Sequence, residues 1–412
     1  MISRRTTFKA AAGVAAAATL GSQQALAADK VLRIGIDLSF TGADAESAAR
    51  VAGGGVLAFE EANERHEVKG YSFEVVKLDD ATATAGQYDP AQAATNARKF
   101  VSDKSFVAAL GPQMSGAGKA MAPILSQGGL ATITPSSTNP DITNPKFAAQ
   151  YMPAGKAIYF RTVATDAYQG PNIANYMADT LKVKSIFVLD DSGAYGVGLA
   201  DAFQAQAEKK GIKVMGRDRL DPKATDYAAI LTKIKALGPD ALYYGGVGQA
   251  GVKLFKQSYD IMPTMIKAGG DGIYGSDMLK GAGFPACEGW YATNAAPHVT
   301  EDPKTAKFSE AFHKRFNQFP EDYSATCYVG AQVIIAAVKQ IVAAGKEPTR
   351  DAVRDAIGGI NLKDSLIGPV AFDEYGDVKN KIISVFQIKQ NKAKPLDDPD
   401  SQFKYIGIAP QA

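Results

Sequence analysis

Phe106-Val107-Ala108-Ala109-Leu110-Gly111-Pro112-Gln113-Met114-Ser115-Gly116-Ala117-Gly118 is the stretch on which the fold turns. Five apolar residues bounded by Gly-Pro read as a buried strand, and the glycine-rich turn after them opens a helix over 116–127. A second apolar run, Leu130 to Thr134, ends in Pro135-Ser136-Ser137-Thr138-Asn139-Pro140. Strand, helix and strand with short connections make the βαβ unit of a parallel sheet.

The same rhythm extends in both directions. Upstream, strands over 31–36 and 73–78 alternate with helices over 53–65 and 91–103. Downstream, strands over 184–189, 213–215, 241–244 and 265–268 alternate with helices over 195–210, 227–237 and 249–259. Two successive α/β sets predict two doubly wound, parallel-sheet lobes. There is no tandem repeat and no low-complexity linker, so ordered crossings are expected to join them.

Composition sets the remaining bounds. A chain of 412 residues, 46% hydrophobic and 21% charged, suits a soluble protein of two domains. Its most apolar late segment, Val333 to Ala344, is interrupted by Lys339, so no membrane-spanning helix is predicted beyond the N-terminus. Residues 1–27 read as a signal peptide: Arg4, Arg5 and Lys9 precede the Ala-rich run Ala10 to Leu20 and the small-x-small site Ala25-Leu26-Ala27. The run Ser3-Arg4-Arg5-Thr6-Thr7-Phe8-Lys9 resembles a twin-arginine signal, with Thr7 where that pattern usually has Phe. Its removal takes three cations and no acids, so the net charge falls from +2 to −1. No basic cluster remains to suggest nucleic acid. Cys287 and Cys327, in an oxidising compartment, are expected to form a disulfide.

In a doubly wound sheet, ligands sit beyond the carboxyl ends of the strands. Ser115 stands at such an end, where free N–H groups and the helix dipole suit an anion; its other reading is a simple N-cap. The stretch is not a nucleotide P-loop, because Gln113 and Ala120 break the pattern. The turn bearing Ser136, Ser137 and Thr138 offers a second set of hydroxyls. Gly246-Val247-Gly248-Gln249-Ala250-Gly251 matches G-x-G-x-x-G, and Asp271 follows at about the spacing of a ribose-binding acid. An exported NAD(P)-dependent oxidoreductase is therefore a second reading, with Asp271 alternatively a solvated turn acid. His66, His298 and His313 are isolated, and no nucleophile elbow or catalytic carboxylate pair stands out. Neither a metal site, a cofactor nor catalysis is expected on the principal reading.

Taken in order, the loops resemble the branched-chain amino-acid-binding family of ABC importers, the type I periplasmic binding proteins. The landmarks are Phe40-Thr41-Gly42, Lys77-Leu78-Asp79-Asp80, Gly111-Pro112 with Ser115-Gly116, and Thr134-Pro135-Ser136-Ser137-Thr138. Phe160-Arg161-Thr162, Asp190-Asp191, Tyr195-Gly196-Val197-Gly198, Thr225-Asp226-Tyr227, Glu288-Gly289 and Gly368-Pro369-Val370-Ala371-Phe372-Asp373 complete the series across nearly the whole mature chain. The resemblance implies an N-lobe of 28–163 plus 294–378 and a C-lobe of 164–293 plus 379–412, joined by three crossings. It implies that Ser115, Ser136 and Thr138 hold the carboxylate and amine of an amino acid or related carboxylate. Tyr195 would close from the second lobe, and Asp271 would face the α-ammonium. Ser47 and Val247 stand where leucine-type binders carry aromatics, which opens the side-chain pocket to a more polar or bulkier ligand. Thr82 and Met114 occupy the sites of an early disulfide that some members carry, and Thr82 to Asp89 is longer than usual. A periplasmic monomer delivering its ligand to a membrane permease is the implied role, with a ligand-sensing receptor component as the alternative.

Overall fold

The computed structural model describes residues 29–299 and 303–412; the expected signal peptide lies outside the described residues. One sheet has five parallel strands, β1 Lys30–Leu38, β2 Tyr71–Asp79, β3 Phe106–Leu110, β4 Thr132–Thr134 and β5 Tyr159–Arg161, in the order β2-β1-β3-β4-β5. The second begins with five more parallel strands, β6 Ser185–Asp190, β7 Lys213–Arg219, β8 Ala241–Gly245, β9 Ile266–Gly269 and β10 Tyr291–Asn294. After a short antiparallel ribbon, β11 Asn361–Leu362 with β12 Val370–Ala371, the chain returns to that sheet. There β13 Ser384–Ile388 and β14 Phe403–Ile408 add an antiparallel edge, giving the order β14-β13-β10-β9-β8-β6-β7. The α/β, doubly wound reading therefore holds, with that edge as the addition.

Helices cover the sheets, and the first corrects a predicted boundary. It spans Ala45–Glu64, starting eight residues before the expected 53. Gly53-Gly54-Gly55 therefore lies in the middle of the helix and not at its start. The glycines let this helix lie directly on the helix Asp322–Ala343: a Cβ at Gly54 would fall 1.9 Å from the Ser324 carbonyl oxygen. Asp322–Ala343 is long and apolar enough to cross a membrane, yet most of it is buried in this contact as a core helix. The β7 strand also outruns its predicted end, because Arg217 and Arg219 reach from this edge to Asp190 of β6.

Alternation along the second sheet separates two apolar layers. Ile186, Val188 and Tyr243 join the large core shared with the first sheet, whereas Phe187, Leu189, Leu242 and Tyr244 join a second core on the opposite face. The expected disulfide fails on this division. Cys287 lies in the second core and Cys327 in the first, both buried and unpaired. Burial in apolar surroundings pushes each thiol up to about 12, which keeps both protonated and unreactive. Thiol titration of the mature protein, unfolded without reductant, should therefore find two free thiols. Trp290 stacks on Phe255 with ring centroids 3.8 Å apart inside the second core.

Candidate functional site

The carboxyl ends of both sheets open onto one cavity. Ser115 follows β3, Ser136 follows β4, Tyr195 follows β6, Val247 follows β8 and Asp271 follows β9. These five and Ser47 all line the cavity, whose free space, counted out to solvent, is about 600 Å³. Thr138 is the exception among the predicted residues. It is fully buried and absent from the wall, and its carbonyl accepts the Asp166 N–H at 2.9 Å. The proline-bounded turn points Ser136 inward and leaves Thr138 behind it.

The first-sheet side of the cavity supplies donors. The helix Ser115–Gly128 begins at Ser115 itself, with Met114 in the N-cap position and no side-chain cap. Ser115 is therefore not the N-cap, and the first N–H groups of this helix have no intrahelical acceptor. Its hydroxyl accepts the Asn139 N–H at 3.2 Å, which ties the two predicted loops together. Ser136 donates to the Gln113 carbonyl at 3.2 Å.

Asp271 faces this end from the second sheet. Its Oδ1 accepts from the Tyr195 hydroxyl at 2.6 Å and Gln169 Nε2 at 2.7 Å, and its Oδ2 accepts from the Tyr323 hydroxyl at 2.6 Å. Burial raises the Asp271 pKa, and these three donors pull it back down. Asp166 sits beside the same Gln169 amide, with one donor on Oδ1 and none on Oδ2. Burial and the Asp271 charge push Asp166 up to about 8. Of the two acids, Asp271 holds three side-chain donors where Asp166 holds one, so it is the better supplied to carry a negative charge.

The glycine motif over 246–251 does different work from a dinucleotide fingerprint. The Val247 N–H donates to Asp191 Oδ2 at 3.0 Å, so a carboxylate already occupies the place where a pyrophosphate would have to sit. Gly246 allows close packing: a Cβ there would meet the Tyr244 hydroxyl at 2.3 Å. Asp271 is buried and held by two tyrosine hydroxyls and an amide, so it is not a solvated turn acid.

The sequence reading missed five polar residues of the wall: Asp44, Gln113, Tyr274, Asp277 and Tyr323. Gln113 lies inside the glycine-rich turn and could have been found there. Asp44 and Asp277 carry no local pattern. Tyr323 begins a helix that composition marks only as apolar. His298, read as isolated, meets Asp322 and Asp400, their ligand-type atoms all within 4.8 Å of one another. Residues far apart in sequence converge there, and Asn294 also donates to Asp322 at 3.0 Å. Burial and the Asp322 charge push Asp400 up to about 8.

Loops of the two sheets bond across the cavity. Asn139 Nδ2 donates to the Ala194 carbonyl at 2.9 Å, the Ser47 N–H to Asp277 at 3.0 Å, and Gln249 Nε2 to the Ala85 carbonyl at 3.1 Å. The last contact gives the extended Thr82–Asp89 loop a structural role.

Comparisons with known proteins agree with this geometry. A family model described as periplasmic binding protein matches residues 31–393. The Leu/Ile/Val-binding protein homolog 3 of Brucella melitensis is 30% identical over 391 residues, covering 95% of this chain and all of its own. A leucine-, isoleucine-, valine-, threonine- and alanine-binding protein of Pseudomonas aeruginosa is 31% identical over 365 residues, covering 88% and 91%. The crystal structure of the leucine-binding protein LivK from Thermotoga maritima superposes with a TM-score of 0.77 at 23% identity, covering 92% and 98%, a likeness of fold.

Proposed function

Because the chain belongs to the periplasmic binding protein family, we propose that it captures a free α-amino acid between its two sheets and delivers it to the permease of an ABC importer. One observation carries the reading. The cavity has helix N–H groups with no intrahelical acceptor and serine hydroxyls at one end, and at the other the Asp271 carboxyl held by three donors. That is the mirror of a zwitterion, since the donors suit a carboxylate and the acid suits an ammonium. Asp271, Tyr195, Ser115, Ser136, Ser47 and Val247 are the contacts we assign to the ligand. The lobes are 28–163 with 294–378, and 164–293 with 379–412, a division that the membership of the two sheets supports. Residues 1–27 direct export, by the twin-arginine route if the paired arginines are read as such. The mature protein acts as a monomer, binds reversibly and turns nothing over.

Thermal-shift screening tests the class. A free amino acid at a hundred times its Kd should stabilise the protein by about 2.7 kcal/mol, whereas NAD and NADP should leave the Tm unchanged. Stabilisation by a dinucleotide alone would sink the importer reading. Small-angle scattering tests the mechanism: ligand contacts from both sheets favour the closed form, so the radius of gyration should fall on saturation. An unchanged radius would count against hinge closure.

A further inference from the structure

Beyond the zwitterion end, the cavity wall changes character. Asp44 and Asp277 both line it, and neither forms an ion pair among the described residues. Asp44 is 7% exposed, accepts no hydrogen bond from a described residue, and its Oδ2 is wholly shielded with no donor. Gln113, 8% exposed, stands in the same wall, and its Oε1 is shielded with no donor among the described residues. Asp277 has one donor, the Ser47 N–H. The cations nearby are engaged elsewhere: Arg50 pairs with Glu46 and lies 3.8 Å from Glu321, and Lys280 pairs with Glu46. Two carboxylates and an amide oxygen thus stand in one cavity wall with a single donor to them among the described residues. Leaving a buried carboxylate unpaired is costly, and no contact within the protein repays it. The rest of this end is apolar, from Met114, Val247 and Met278.

Resting on the amino-acid reading, we propose that this end receives the cationic side chain of a basic amino acid, an ammonium or guanidinium carried on an alkyl stem. The thioethers and Val247 would flank the stem, as apolar surface does along lysine and arginine chains. Asp44, Asp277 and the Gln113 oxygen would accept from the head. An aliphatic branched side chain would instead leave both acids desolvated and unanswered. The titration of the site follows the same lines. Burial, then Asp277, Asp80 and Asp191, push Asp44 up to about 7. Burial with Glu321 and Glu46 pushes Asp277 up to about 6, against the Ser47 N–H and Arg50. Both acids are charged above those values and neutral below them, so a cationic ligand should bind more weakly as the pH falls from 8 to 5.5.

Calorimetry with lysine, ornithine, arginine, glutamine, leucine and isoleucine decides the matter. At pH 8 the wild type should prefer a basic amino acid to leucine by at least about a hundredfold. That preference should fall at least about tenfold in Asp44→Asn, in Asp277→Asn and in the wild type at pH 5.5. The empty Asp44→Asn protein should also melt higher than wild type, because an unpaired buried charge is gone; should that variant fail to fold, Asp277→Asn carries the test. Tighter binding of leucine or isoleucine overturns the inference and leaves amino-acid capture standing. Tighter binding of glutamine replaces the charge by a neutral donor and also overturns it. Binding of no α-amino acid overturns the inference and the proposed function together.

Discussion

Asp271→Ala is expected to weaken binding of a free α-amino acid at least about a hundredfold while the protein stays folded. The carboxylate is 7% exposed and collects donors from three elements, namely Gln169, Tyr195 and Tyr323. Such a cradle holds the charge in place before the ligand arrives, so the ammonium meets a preorganised partner. Removing one member of a buried ion pair strands the other, at a cost of roughly 3–5 kcal/mol. At about 1.4 kcal/mol per decade that is two to three orders of magnitude in Kd. Asp271→Ala also orphans two tyrosine hydroxyls, so Asp271→Asn is the cleaner companion: it keeps an acceptor and removes the charge. Calorimetry on both variants should show similar losses for the amino acid. The matching keto acid, which has no amine, should bind wild type poorly and lose little in either variant. Equal losses for amine-bearing and amine-free ligands would mean that Asp271 does not face the ammonium.

Why Asp271 could be found in the sequence, and Asp44 could not, is a matter of local pattern. Strand ends are legible from apolar runs, and the residue just past a parallel strand is where ligands sit. That rule reaches Ser115 and Ser136, the family resemblance adds Tyr195, Val247 and Asp271, and the structure gathers all five around one cavity. Thr138 fails because a turn of consecutive hydroxyls does not disclose which of them faces inward. Asp44 and Asp277 meet only after both sheets are built and brought together, and no periodicity encodes that. The antiparallel strands β13 and β14 escaped for a related reason. They join a sheet whose other strands end at Asn294, some ninety residues earlier, so the local α/β rhythm no longer marked them. The first helix is read eight residues late, at Gly53, and the triple glycine inside it marks a close helix contact. The Ser324 carbonyl against Gly54 shows that contact.

The other large loss is expected in stability, from Arg161→Met. Arg161 ends β5 at the first crossing, and its side chain is fully buried. Its Nε donates to Asp377 at 2.8 Å, Nη1 to the Ser137 carbonyl at 2.6 Å, and Nη2 to the Thr143 hydroxyl at 3.0 Å. One guanidinium thus ties the ligand-binding turn after β4 to the segment after β12. Methionine fills much of the volume but supplies no donor, which leaves a carbonyl and a carboxylate without their partner. Stranding a buried charge costs roughly 3–5 kcal/mol, and Asp377 keeps some relief: its side chain is 16% exposed, and the Thr143 hydroxyl still reaches it at 3.0 Å. A loss of about 3 kcal/mol is therefore expected, read as a lower urea midpoint at unchanged slope. Arg161→Met combined with Asp377→Leu should recover part of it, because replacing both partners removes the stranded charge. The surviving deficit in the double variant measures the Ser137 carbonyl. A single-variant loss below about 1 kcal/mol would show that water reaches Asp377 freely, and the crossing would then be held by packing instead of by this ion pair.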